Sequence, residues 1–136
     1  MVFLWWWIGV INAYTGPLVE LRLQIKALPV HAAEMVKALR SIMLPARAER
    51  GFVSSHIYQE VDRPEALCYI EEWASPAQAE EQIRSRRFGR LLAVMETAPK
   101  PPVLEVRSMS ETLGLDYIST IRLSSGAHAK PAGESA

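Results

Sequence analysis

Two residues at the end of one short run carry the first chemical signal. The stretch Trp73 to Leu92 reads WASPAQAEEQIRSRRFGRLL and follows a strand-like run, LCYIEEW. Glu71 and Trp73 therefore stand where a strand hands over to a helix. A core needs no Trp there, and a turn needs no Glu. A carboxylate at that point can act as a general base or hydrogen-bond acceptor. Its structural alternative is an ion pair with Arg22 or Arg107 across neighbouring strands. The indole can wall a pocket, or it can close the end of a sheet by packing. His56 is the one His within an expected strand and shares a face with Ser54, Tyr58 and Glu60. It is the candidate proton shuttle, with a hydrogen-bonded structural role as the alternative.

Other side chains could serve the same site. Tyr69 shares a face with Glu71 and Trp73 by strand alternation. Arg84, Arg86, Arg87 and Arg90 form a basic cluster. Glu80 and Arg84 have the spacing of a solvated helix pair, whereas Arg87 could meet an anionic substrate group. Cys68 alternates with Ala66 and Ile70 toward the helices and reads as an inert core thiol. The His residues at 31, 56 and 128 lack metal-ligand spacing, so no metal is expected. No Gly-rich phosphate loop or nucleophile motif is present.

The elements that must position these residues are legible. VELRLQIK alternates Val19, Leu21, Leu23 and Ile25 against Glu20, Arg22, Gln24 and Lys26, which predicts a strand ended by Pro29. Ala32, Met35, Val36, Leu39, Ile42 and Met43 form one apolar helical stripe, limited by Pro45. Gly51 opens a second strand, FVSSHIYQEV, which ends at the turn Asp62-Arg63-Pro64. ALCYIEEW is the third strand, the return arm of a hairpin. Ser75, Pro76 and Gln78 then make a capping box. The second helix buries Ala79, Ile83, Phe88, Leu91, Leu92 and Met95, with a kink near Ser85, and Pro99, Pro101 and Pro102 stop it. Val103 to Glu111 is the fourth strand, with Leu104 and Val106 on one face and Glu105 and Arg107 on the other.

Strand, helix, strand, strand, helix, strand is the split βαβ, ferredoxin-like α+β order, with an antiparallel four-stranded sheet. Helices cover one face. The other is expected to carry Tyr58, Tyr69, Trp73, Val103 and Met109 among polar residues, too aromatic for bare solvent. A second copy packed face to face would cover it, so a homodimer is expected. At least one buried Arg–Glu pair is expected among Arg22, Glu71, Glu105 and Arg107.

Bulk properties narrow the function classes. The chain has 136 residues, enough for one domain, with 49% apolar and 22% charged residues. Fifteen basic side chains balance 15 acidic ones, which argues against a nucleic-acid partner. The single Cys excludes an internal disulfide framework. The domain is expected over residues 18–122, with a structureless tail at 123–136. Residues 1–17 are an apolar extension and linker. MVFLWWWIGVI is too short for a spanning helix and lacks a basic n-region. A cleaved leader and a membrane-surface anchor at residues 1–11 are the lesser alternatives. An apolar strap on the domain, or a start placed too far upstream, is preferred. A cytoplasmic location is expected.

Gly51, the turn DRP, the run YIEEWASPAQ and Phe88 spaced after it resemble the antibiotic biosynthesis monooxygenase family, quinol monooxygenases included. The resemblance covers roughly Val19 to Ser110. It implies a dimeric α+β barrel that oxidises polycyclic phenols or quinols with O₂ and no metal, flavin or other cofactor. It also allows a non-catalytic barrel that binds a small aromatic ligand or serves a stress response. On this reading His56 and Glu71 are catalytic, and Trp73, Tyr58, Tyr69, Arg22, Arg107, Arg87 and Phe88 bind substrate. Many relatives carry His where this chain has Gln82 and Arg87, and neither replacement can shuttle a proton near neutral pH. Haem-degrading relatives use a first-strand Asn, the Trp and a helical His. Here Leu21 and Leu92 fall near two of those positions, and only Trp73 matches.

Overall fold

The computed structural model describes residues 17–134, and side chains as far as Gly126. The apolar run at the N-terminus and most of the linker after it lie outside the described residues. Strand β1 is Leu18–Lys26, and a 3₁₀ turn at Pro29–His31 leads into helix α1, Ala32–Ala46. Strands β2 (Phe52–Glu60) and β3 (Arg63–Trp73) form the hairpin. Helices α2 (Pro76–Ile83) and α3 (Arg86–Glu96) precede β4 (Val103–Met109), and α4 spans Leu115–Glu134. All sheet pairings are antiparallel, in the order β2-β3-β1-β4. This is the ferredoxin-like α+β fold.

The core follows from the period-two pattern of β1. Val19, Leu21, Leu23 and Ile25 are buried against Met35, Leu39, Ile42 and Met43 of α1. Burying a side chain such as Leu23 or Leu39 stabilises by about 1.5–3 kcal/mol. Phe88 and Leu91 of α3 close the same core.

Local signals explain the turns. Ser75 caps α2: its hydroxyl accepts from Gln78 N at 3.3 Å and meets Gln78 Oε1 at 3.1 Å. Gly51 has φ +84°, a left-handed conformation that side chains disfavour. A Cβ there would lie 2.1 Å from Gln78 Oε1, so the β2 entrance and the α2 cap press together at that point. Gly51 O also accepts from Ala74 N at 2.8 Å.

The fourth strand ends at Met109 rather than Glu111, and three larger features differ from the sequence reading. The expected kink near Ser85 is a break between two helices. Ser85 ends one helix by donating to Gln82 O at 2.6 Å and starts the next by accepting from Phe88 N at 3.1 Å. Strand β3 begins at Arg63 rather than after Pro64, and Gln59 Nε2 donates to Pro64 O across the hairpin at 3.1 Å. Beyond Gly114 the backbone is helical to Glu134, including residues 123–134, for which no structure was expected. The run from Leu115 to Leu123 holds only Leu115, Arg122 and Leu123 as strong helix formers among Asp, Tyr, Ser, Thr and Ile, so propensity gave no helix signal there. Among the described residues no helix is long and apolar enough to cross a membrane.

The largest correction concerns the faces of β3. Leu21 pairs with Glu71, Leu23 with Tyr69 and Val19 with Trp73. Directly paired residues share a face. Tyr69, Glu71 and Trp73 therefore point at the helices, not away from them. Cys68 and Ile70 lie on the opposite, open face, so Cys68 is not a core thiol packed under the helices. Successive rows of that open face are Tyr58, Cys68, Gln24, Val103, then His56, Ile70, Arg22, Glu105, then Ser54, Glu72, Glu20, Arg107.

Candidate functional site

The strand end and the helix break bring a polar cluster together inside the core. β3 supplies Tyr69, Glu71 and Trp73, which are 1%, 1% and 0% exposed. The first turn of α3 supplies Arg87, and the end of α2 supplies Gln82. Arg87 Nη1 donates to Glu71 Oε1, and Arg87 Nη2 donates to Glu71 Oε2 at 3.0 Å. The Tyr69 hydroxyl also donates to Oε1, and Trp73 Nε1 donates to Oε2 at 3.2 Å. Each carboxylate oxygen thus accepts from two donors.

The guanidinium is equally engaged. Arg87 Nη2 reaches Gln82 Oε1 at 3.0 Å, and Nη1 reaches the Ile42 carbonyl of α1 at 3.4 Å. Its Cζ lies 5.9 Å from the Trp73 ring centroid, within cation–π range. Phe52 meets the same indole edge-on, with centroids 5.8 Å apart. Sheet, α1, α2 and α3 all converge on this one ion pair.

The electrostatics follow from burial. Desolvation first, and the Glu71 carboxylate second, push the Tyr69 hydroxyl well above the usual phenol range. Tyr69 is therefore a neutral donor at any ordinary pH. Burial works against the charge on Arg87, but the carboxylate outweighs it and holds Arg87 above its ordinary value.

The expected buried Arg–Glu pair exists, but Arg87 is the partner rather than Arg22 or Arg107. Arg22 pairs with Glu20 at 2.8 Å, and Arg107 pairs with Glu105 at 3.0 Å, both on the open face. His56 is also on that face, 5.7 Å from the Tyr58 ring. The sheet separates His56 from Trp73, so the two do not flank one ligand. Phe88 is a buried core residue.

Sequence reasoning missed Ser55, which pairs with Glu71 in the hairpin register and faces the helices beside it. Alternation alone could have placed it there had the face of β3 been right. Gln82 reads in the sequence only as a replacement for His, and Arg87 as that and as a substrate-binding residue, but neither reads as a partner of Glu71. A separate cleft of about 610 Å³ opens between Gln24, Tyr58, Cys68, Lys100, Pro101 and Val103. Among the described residues no group of three His, Cys, Asp or Glu gathers as a metal site.

Residues 19–92 match the family model described as antibiotic biosynthesis monooxygenase, and the chain belongs to that family. A Methanosarcina mazei protein shares 20% identity over 73% of this chain and 99% of its own, with a TM-score of 0.64. A Pseudomonas aeruginosa protein shares 24% over 74% of this chain and 98% of its own, with a TM-score of 0.60. A Caulobacter crescentus protein, whose name carries the same family description, shares 20% over 74% and 96%, with a TM-score of 0.61. At these identities the likeness is one of fold. No curated protein matches the chain in sequence.

Proposed function

We propose that this chain is a cofactor-independent monooxygenase acting on a phenol- or quinol-type aromatic molecule, with the Tyr69–Glu71–Trp73–Arg87 cluster as its site. The observation that carries this reading is the convergence of a carboxylate, a phenol, an indole and a guanidinium between sheet and helices in a family member. Such convergent polar groups in an apolar surround suit an aromatic ligand with an oxygen substituent. The chemistry balances without a redox group on the protein. A phenol with a free ring position plus O₂ gives a quinone plus water. One oxygen atom enters the ring, the other leaves as water, and the substrate supplies the electrons. The protein's part is to bind the ring, stabilise its ionised oxygen and exclude water.

The roles shift from the sequence reading. His56 drops out as the base of this site because it lies across the sheet. Glu71 is committed to four donors, so its role is to hold Arg87, Tyr69 and Trp73 in place. The substrate oxygen then ionises beside Arg87. The proposed entry is along Arg87, whose side chain is 10% exposed against 1% for Glu71 and which adjoins the break at Arg84–Ser85.

The homodimer belongs to the same proposal. Tyr58 is 53% exposed and Val103 48%, and they sit in one row of the open face. A second copy would cover that row.

One observation favours a second reading, a non-catalytic barrel. Tyr69, Glu71 and Trp73 are almost fully buried, and the carboxylate is fully engaged, as a purely structural ion pair would be. Oxygen uptake with a hydroquinone panel, with chelator added and no flavin, separates the two. Uptake supports the oxygenase; a flat trace across the panel supports the second.

A further inference from the structure

Two polar atoms beside Glu71 are buried and have no hydrogen-bond partner among the described residues: Ser55 Oγ and Arg87 Nε. Every other polar head of the cluster is engaged. Ser55 is only 8% exposed. It stands directly opposite Glu71 in the β2–β3 register, on the same face, where paired side chains have Cβ atoms about 4.5–5.5 Å apart. Arg87 Nε belongs to the guanidinium that the same carboxylate holds. Both unpartnered atoms therefore belong to residues that adjoin Glu71, one through the strand register and one through the ion pair. A buried donor without a partner is costly, so a native core retains few.

Their chemistry specifies what would satisfy them. Arg87 Nε can only donate, and a Ser hydroxyl can donate as well as accept. Their shared complement is a hydrogen-bond acceptor that carries negative charge or a carbonyl dipole. Glu71 cannot fill that role, because both of its oxygens already accept twice. Gln82 Oε1 is taken by Arg87 Nη2.

We propose that Ser55 Oγ and Arg87 Nε form the oxygen subsite of this cluster and take the phenolate oxygen of the substrate or the carbonyl oxygen of its quinone product. The inference rests on the oxygenase reading and deepens it by naming a positioning pair for the reacting oxygen. Ser55 lies on a strand and Arg87 is clamped by Glu71, so both donors are held in place before the ligand arrives. A phenolate held by a guanidinium and a hydroxyl is stabilised relative to the phenol, so the phenol proton is lost to bulk water as the ligand enters and no base in the cluster has to accept it.

The test uses 4-nitrophenol, which absorbs visibly only as the phenolate, on the full chain. The wild type should bind it and shift its ionisation to lower pH. Ser55→Ala should weaken binding by about tenfold and reverse part of the shift. Ser55→Thr, which keeps a hydroxyl, should restore both, and Ser54→Ala, on the opposite face, should change neither. The ligand-free Ser55→Ala protein should melt no lower than wild type, so lost binding would not be lost folding. Binding with unaltered affinity in Ser55→Ala overturns the subsite. So does wild type that oxidises hydroquinones yet binds no nitrophenol, in which case the oxygenase reading survives. No binding and no oxidation overturns both, and a buried water then satisfies the two atoms.

Discussion

Glu71 and Arg87 clamp the sheet to the helix layer: both carboxylate oxygens meet the guanidinium, one from the third strand and the other from the first turn of α3. The pair is buried on one side to 1% side-chain exposure and on the other to 10%. It is the only described Arg–Glu pair inside the core, since those of Arg22 and Arg107 lie on the open face and that of Arg84 is solvated. Desolvation makes such a pair costly to break and of modest net worth when intact.

Glu71→Ala should therefore destabilise the protein by roughly 3–5 kcal/mol, because it strands a buried guanidinium. Arg107→Ala, which breaks an exposed pair, should change stability by no more than about 0.5 kcal/mol. Urea unfolding of the two variants checks the contrast. Equal effects would mean that the buried pair is solvated in solution.

Tyr69 makes stability depend on alkaline pH. Its folded value is raised above the usual 10 by burial and the neighbouring carboxylate. Above about pH 10 the unfolded chain loses this proton while the folded chain keeps it. The stabilisation is thus complete below that pH and is lost above it, at up to about 1.4 kcal/mol per pH unit. Tyr69→Phe should be less stable at neutral pH and should show a shallower alkaline decline. An unchanged slope would show that Tyr69 does not titrate differently in the two states.

Gly51→Ala places a Cβ in a left-handed backbone and against Gln78 Oε1. The backbone contribution alone should cost about 1–2 kcal/mol. Gln78→Ala should relieve the contact but not the backbone strain, so the double variant should recover only part of the loss. Full recovery in a double-mutant cycle would place the whole cost in the side-chain clash.

The open face predicts a dimer in sedimentation at micromolar concentration. Tyr58→Glu and Val103→Glu should each shift it toward monomer, since both residues are exposed in the single chain. A wild-type monomer would remove the face-to-face pairing from the account.

The element order, the sheet topology and the Ser75 cap were legible because periodicity and capping are local properties. The direction of β3 was not. Its run has apolar residues on both parities: Ala66, Cys68 and Ile70 on one, Leu67, Tyr69 and Trp73 on the other. A Glu on the second parity then reads as solvent-facing unless its partner is known. That partner, Arg87, lies 16 residues away on another element, beyond the reach of any local pattern. The same mistaken parity put His56 beside Trp73 and Arg22 beside Glu71, and hid Ser55. The pairing of Val19 to Ile25 with β3 resolves it, but register is a tertiary property.

On the proposed reading a phenol is oxidised at the Glu71–Arg87 cluster between sheet and helices. Oxygen uptake with the hydroquinone panel, chelator present and flavin absent, compared among wild type, Arg87→Lys and His56→Ala, tests it most directly. Lysine keeps the charge but loses the two-pronged fork, so it should fold and lose most turnover. Wild type should take up oxygen, His56→Ala should retain that uptake, and Arg87→Lys should largely lose it. No uptake by wild type, or uptake that survives in Arg87→Lys and vanishes in His56→Ala, would contradict it.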